Sequence, residues 1–490
     1  MSRISSETGF LAKQSTIYGI GNMLQRLSSF LLLPVYTRFL TTSDYGIKEI
    51  VTISTEVVAV LISTAVSMAL FRIYFQYDEE ATRRQVVSSA YVAVGGFGLV
   101  ILGILIYLSP PLSGWLLDDP DLSVYLVLSF GALWFQVQNK ISFDYMRARQ
   151  QAIRVVSFSL AKLVMALGLN VWFIVFEGMG VIGVLWSNII TSAFFWLIMS
   201  IPMIVRTGWN FSVRILREMV GFGSPLVVSQ LGGMVVHLSD RFFIKAMISM
   251  ADAGIYSLGY RLGTLPSMLV VEPFNQTWLP RRYEIHKQPD HKQVFGRVFT
   301  YYLAAILFGA LAVSVFARDL LMVMADEKFW GAADVIPLIA IANVIFSLHY
   351  HLNFGLMLAK RTKLIATINL TNGVLVLLLN WLLIPPFGFF GAAYATIAAF
   401  VYKVGLTWYF SRRHYRPEFE RRRLWHLVVT VVVIYGVSRL IPAPSLWAGI
   451  ALHAGLVAAF PVLLFVTGFA HKSELAKLRE LARRYGRRSG

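Results

Sequence analysis

The stretch LLLPVYTRFLTTSDYGI, Leu31 to Ile47, interrupts one apolar run with a proline, an arginine and an aspartate and then opens another. Its reading decides between a joint in a soluble core and a hairpin between two membrane spans. Of 490 residues, 57% are hydrophobic and only 14% charged, and the mean hydropathy is +0.64. A soluble chain of this length would leave too much apolar surface in water. Apolar runs of about 20 residues, long enough to cross a hydrocarbon core of roughly 30 Å as a helix, recur along the whole chain. Fourteen can be drawn, from 15–40 and 44–70 through 253–280 to 424–441 and 446–469. The stretch therefore reads as the joint between spans one and two of an all-α polytopic membrane protein. Asp44 is placed to cap the second span at the positive end of its dipole, and Gly46 allows tight packing.

The same stretch has an echo. SDYGIKEI at Ser43 returns as ADAGIYSL at Ala251, so that Asp44 and Gly46 match Asp252 and Gly254 at a displacement of 208 residues. GVIG at Gly180 returns as GFFG at Gly388 at the same displacement, and FDYMRARQ at Phe143 answers FGLMLAKR at Phe354. Several matches in order at a nearly constant offset define an internal repeat. Spans one to six (an N-lobe, 1–210) and seven to twelve (a C-lobe, 211–412) read as two copies of one unit. Each copy has an even number of spans, so both enter the membrane in the same sense. An appended pair of spans (413–470) and a basic tail (471–490) complete the chain. The tail alternates leucines with basic residues at near-helical spacing, which suits an anionic lipid surface.

Net charge is +18, which invites a nucleic-acid reading. The distribution argues otherwise. Most of the 44 lysines and arginines fall in alternate loops: Arg83 and Arg84, Arg147 to Arg154, Arg206 to Arg217, Arg281 to Arg297, Lys360 to Lys363 and Arg412 to Arg423. This is the positive-inside pattern, with both termini cytoplasmic and an inner-membrane location. The opposite loop LDDPDLS has no basic residue. Cysteine is absent, no glycine-rich phosphate loop ends in Lys-Ser/Thr, and no outward loop has room for a sizeable active site. No cofactor, metal or catalytic residue is expected.

Ionisable side chains in mid-span cost about 3 kcal/mol on insertion scales, so they face cavities or partners. Span one carries Asn22, Gln25 and Arg26 on one face; its copy, span seven, carries Gln230, His237, Asp240 and Arg241. Glu56 lies on a polar stripe of span two, and Arg261 and Glu272 lie in span eight. Span four offers Gln136, Gln138, Asn139 and Lys140, against His349 and His351 in its copy. Arg26 and Arg261 stand out because neither has a carboxylate three or four residues away. One shared cavity between the lobes accounts for all the stripes. Each residue also has an ordinary reading: snorkelling for Lys48, Lys162 and Lys403, mutual neutralisation for Asp240 and Arg241, and hydrogen-bonded core positions for the histidines.

LLPVYTRFL followed by SDYGI, then SDRFFI followed by DAGIYSLGYR, then GFFGAAYATIAA resemble the polysaccharide-transport branch of the multidrug, oligosaccharidyl-lipid and polysaccharide exporter superfamily. The resemblance covers residues 10 to about 470. It implies a flippase that moves a polyprenyl-pyrophosphate-linked oligosaccharide from the inner to the outer leaflet by alternating access. It also implies membrane lipids, a polysaccharide polymerase and a chain-length regulator as partners. The cavity cations of the family correspond to Arg26, Arg261 and Lys140, with Asn22, Gln25, Gln230 and His237 beside them. If transport is coupled to an ion, Glu56, Asp240 and Glu272 are the carboxylates available. A lipid II flippase and a multidrug or cation antiporter share the architecture; a membrane-bound glycosyl-processing enzyme is a more distant alternative.

Overall fold

A computed structural model describes residues 30–442 and 445–469. The described chain is helical, and twelve of its helical segments are long and apolar enough to cross a membrane. The helices are α1 (Leu33–Phe39), α2 (Thr42–Gln76), α3 (Glu80–Tyr107), α4 (Ser109–Leu117), α5 (Ser123–Ala148), α6 (Ala152–Val171), α7 (Gly180–Thr207), α8 (Val213–Met247) and α9 (Met250–Gly263). They continue as α10 (Glu272–Ile285), α11 (His291–Val315), α12 (Ala317–Met324), α13 (Val335–Leu352), α14 (Phe354–Leu358), α15 (Thr362–Phe387), α16 (Phe389–Ser411), α17 (Arg421–Leu440) and α18 (Leu446–Val466). Residues 15–29 of span one, Asn22, Gln25 and Arg26 among them, lie outside the described residues, as does the basic tail.

The expected span 253–280 is not one straight helix. It divides into α9, a π-helical turn at Ser267–Val271, and α10. Pro266 and Pro273 flank the wide turn; neither has an N–H to return to the preceding turn, so the regular ladder cannot run through.

The chain forms two compact units. The first comprises Met1–Ser257 with Met324–Phe329, the second Leu258–Val323 with Trp330–Gly490. In the first, α5 packs on α7 and α2 packs on α8; in the second, α16 packs on α15 and α13, and α11 on α17 and α18. Several polar side chains inside these apolar bundles are tied to one another, because the hydrocarbon offers them no other partner. Asn170 accepts from Tyr36 Oη at 3.0 Å and donates to Ser187 Oγ at 2.8 Å, and Ser142 meets Ser200 at 2.9 Å.

The paired motifs share their local structure. Thr41 and Asp44 cap α2 reciprocally: the Asp44 N–H donates to Thr41 Oγ1 at 3.0 Å, and the Thr41 N–H donates to the Asp44 carboxylate at 3.0 Å. Ser249 and Asp252, displaced by 208, cap α9: the Asp252 N–H donates to Ser249 Oγ at 3.0 Å, and the Ser249 hydroxyl donates to the Asp252 carboxylate at 2.5 Å. Gly180 and Gly388 both adopt positive φ, 58° and 61°, at the turns that open α7 and α16. Only glycine takes that conformation without a steric cost.

Candidate functional site

Within the first unit, α5 sorts its polar residues by depth. Gln138 and Asn139 are buried; Asn139 donates to the Ser192 carbonyl at 2.9 Å and so joins α5 to α7. Gln136 and Lys140, one helical turn apart, instead line open recesses. One recess, of about 270 Å³, is walled by Thr52, Thr55 and Glu56 of α2, Ser129 and Gln136 of α5, and Asn188 of α7. The other, of about 410 Å³, lies between α5 and α6 and is lined by Gln136, Lys140, Arg147, Ser159 and Lys162. Gln136 belongs to both, so the two adjoin at its side chain.

The second recess is cationic. Arg147 is held by the buried carboxylate of Asp144 at 3.1 Å, whereas Lys140 is exposed and Lys162 half-buried. Lys162 lies mid-helix in α6 and lines the recess, so the snorkelling expectation for it gives way to an address beside Lys140. Its distance from either end of an apolar helix was the available signal. The other two lysines read as end-of-helix cations have local partners: Lys48 bonds Glu49 at 2.5 Å and lies 4.7 Å from the Tyr45 ring, and Lys403 lies 4.7 Å from the Phe346 ring. Two ammonium groups and a guanidinium around one recess, with hydroxyl and amide neighbours, can hold a pyrophosphate or a similar multidentate anion.

Asp240 and Arg241 form a buried network, also within the first unit. Asp240 is 2% exposed and Arg241 5%. One carboxylate oxygen of Asp240 receives Arg241 Nη1 at 2.5 Å, and the other receives the Tyr256 hydroxyl at 2.6 Å. The same Nη1 donates to the His237 carbonyl, and the guanidinium lies 5.5 Å from the Tyr256 ring centroid. The arrangement joins α8 to α9 and has the geometry of mutual neutralisation. Of the neighbouring expected cavity residues, His237 is half-buried and Gln230 exposed.

In the second unit, Arg261 and Glu272 bracket the π-helical turn, Arg261 half-buried and Glu272 exposed. His351 is stacked on Phe274 and Trp278, with ring centroids 5.4 and 5.3 Å apart. It is buried by aromatic packing, and neither ring nitrogen has a hydrogen-bond partner. Arg282 secures this region by donating to the Tyr350 carbonyl at 2.9 Å and to Asn353 Oδ1 at 3.1 Å. No cluster of three or more His, Asp or Glu able to hold a metal occurs among the described residues.

Residues 35–332 match a family model described as "Polysaccharide biosynthesis protein". Among curated proteins, the chain is 23% identical over 340 residues to the "Lsg locus putative protein 1" of Haemophilus influenzae, covering 68% of this chain and 81% of that one. It is 23% identical over 282 residues to the "Probable low-salt glycan biosynthesis flippase Agl15" of Haloferax volcanii, covering 54% of this chain and 58% of the relative. Among solved structures, the "Lipid II flippase MurJ, inward closed conformation" superposes with a TM-score of 0.73 at 11% identity, over 94% of this chain and all of the other. An inward-facing multidrug resistance MATE family transporter of the MOP superfamily gives 0.62 at 12% identity, over 79% and 94%. At these identities the structures establish the fold.

Proposed function

Because this multi-pass membrane protein belongs to the polysaccharide biosynthesis protein family, we propose that it translocates a polyprenyl-pyrophosphate-linked oligosaccharide from the inner to the outer leaflet of the cytoplasmic membrane by alternating access. The observation that carries this reading is the cationic recess of Lys140, Lys162 and Arg147 between two long apolar helices, α5 and α6. A pyrophosphate brings about two negative charges into a medium of low dielectric, where fixed cations offset much of its lost hydration. Two of those cations are lysines, which attract as point charges without the bidentate grip of arginine, so the far leaflet can still draw the anion off.

Arg261 in the second unit and Arg26, outside the described residues, are assigned as further contacts to the pyrophosphate, with Asn22, Gln25, Gln230 and His237 as polar neighbours. The division into an N-lobe of 1–210 and a C-lobe of 211–412, with an appended helix pair, is part of the same proposal, as are cytoplasmic termini. The name of the Haloferax relative supports flipping in a glycan pathway. An antiporter of drugs or cations would place carboxylates where this recess places lysines. The candidate coupling carboxylates are Glu56, on the wall of an open recess, Glu272, which is exposed, and Asp240, which holds Arg241 and the Tyr256 hydroxyl.

The deciding experiment is reconstitution in proteoliposomes with a fluorescent polyprenyl-pyrophosphate disaccharide in one leaflet, followed by leaflet-specific quenching. Protein-dependent transfer that fails for the dephosphorylated polyprenol glycoside supports the proposal. Equal transfer of both lipids, or none of either, overturns it.

A further inference from the structure

A second polar cavity, of about 880 Å³, lies in the second unit where the last helix pair meets α11 and α12. It is more than twice the size of the recess at Lys140, about 410 Å³, and within the range of roughly 300–1,000 Å³ typical of small-molecule sites. Its walls come from the ends of α11 and α17 and the starts of α12 and α18. By the positive-inside assignment those ends face outward. None of the residues discussed so far lines it.

Its chemistry differs from that of the Lys140 recess. Asp319 is buried and meets His453 Nδ1 at 2.5 Å; Asp334, at the rim, lies 3.7 Å from Arg439. Both carboxylates thus face a cationic or titratable partner, and Arg318 is the remaining charged lining group. The ion-paired carboxylates keep unused lone pairs, the arginines keep unused N–H donors, and Trp330 adds an aromatic wall. A strongly anionic ligand would have to break into existing pairs. A long acyl chain would strand the charges without water. A polyol fits on every count: vicinal hydroxyls donate to carboxylates and accept from guanidinium groups, and the apolar face of a sugar ring can lie against an indole.

We propose that this cavity is an outward-facing saccharide site that takes two or three sugar units of neutral or weakly charged character. It rests on the flippase reading and its topology, and adds to them a place for the glycan outside the translocation recess. A glycan held there is withdrawn from the return path, which favours net export.

The absence of cysteine from the chain allows a clean test. Ser314→Cys, in the cavity wall, is introduced into the full chain and labelled in spheroplasts with a membrane-impermeant maleimide. Maltotriose, chitotriose or glycerophosphoethanolamine is added at 1–50 mM, roughly the range for a weak site. Asp121→Cys, in a different outward loop, serves as the control. The expected result is labelling from outside that at least one trisaccharide slows about threefold or more at Ser314→Cys and not at Asp121→Cys. The protection should disappear when Trp330→Ala is added, with the melting temperature kept within a few degrees. No protection by either sugar, protection by glycerophosphoethanolamine alone, or access only from the cytoplasmic side overturns the inference. Flipping in proteoliposomes is scored separately: transport without saccharide protection removes this site and leaves the flippase, and protection without transport does the reverse.

Discussion

Gly46 and Gly254, 208 residues apart, close against each other's helix starts in a reciprocal contact. A methyl on Gly46 would run into the carbonyl of Met250, and a methyl on Gly254 would run into the carbonyl of Thr42, itself 208 residues before Met250. When residue i touches j and the counterpart of i touches the counterpart of j, the two contacting helix starts are related by a local two-fold. The repeat seen in the sequence is therefore also a local symmetry where α2 meets α9, built from two corresponding hydroxyl–aspartate caps and two corresponding glycines. The expectation that Gly46 tightens its own hairpin gives way to a contact between the copies.

The close approach makes a direct prediction. Gly46→Ala and Gly254→Ala each push a Cβ into backbone that cannot swing aside, at a cost of about 1–3 kcal/mol or more. Gly168→Ala, a helical glycine with open space around it, should gain about 0.5–1 kcal/mol through helix propensity. Scanning fluorimetry of the three detergent-purified variants should show two lowered melting temperatures and one unchanged or raised. Equal behaviour of all three would contradict the contact.

For the cationic recess, Lys140→Gln and Lys162→Gln singly should slow flipping several-fold. Together they should slow it by about tenfold or more, or ~1.4 kcal/mol, at normal abundance. Lysine is the better residue here if release is limiting, so Lys140→Arg should bind substrate more tightly and turn over no faster. Unchanged rates in the double variant would take the recess out of the transport path.

Asp240→Asn separates structure from coupling. Removing the carboxylate breaks the buried ion pair that Asp240 makes with Arg241, and breaking a buried pair costs about 3–5 kcal/mol. Membrane abundance should fall, and Asp240→Asn combined with Arg241→Gln should recover part of it. Normal abundance with loss of proton-dependent transport would instead make Asp240 a coupling residue.

Acid should weaken the connection between α10 and α11. Burial first, and the neighbouring His291 second, hold the His286 imidazole below its ordinary pKa, and its ring centroid lies 4.9 Å from that of His291. The folded state thus favours neutral His286, and the unfolded chain binds its proton at higher pH. Stability from this group is complete above about pH 6.5, the unfolded value, and is lost as pH falls toward the lower folded pKa. The melting temperature should drop between pH 7.5 and 5.5, and His286→Gln should reduce that drop. An identical pH profile in the variant would exclude His286 as the source.

Asn372 and Asn380, two turns apart on α15, are fully buried, and no side-chain nitrogen or oxygen of either has a hydrogen-bond partner. An unsatisfied buried amide costs about 1–3 kcal/mol. Asn372→Leu and Asn380→Leu should therefore raise the melting temperature, and a fall in both would show that the amides hold ordered water.

Sequence alone determined the class of molecule and much of its plan. Composition and run length demand membrane helices, because an apolar run of about 20 residues is too long for a barrel strand and a helix satisfies its own polar backbone in lipid. The repeat was legible because turns and caps depend on a few adjacent residues: Asp44 and Asp252, and Gly180 and Gly388, do locally what their types suggest. Tertiary structure decided the rest, because burial and partnership depend on residues far away in the chain. It moved Gly46 from its hairpin to a contact with the other copy. It divided the polar run of α5 into Asn139 bonding to Ser192 and Lys140 lining a recess, although the two are adjacent in sequence. It brought Lys162 beside Lys140, and it bonded Asp240 to Tyr256. Periodicity gives the direction of a side chain from its own helix axis; only the packed neighbours fix whether that direction leads to lipid, to a partner or to an open cavity.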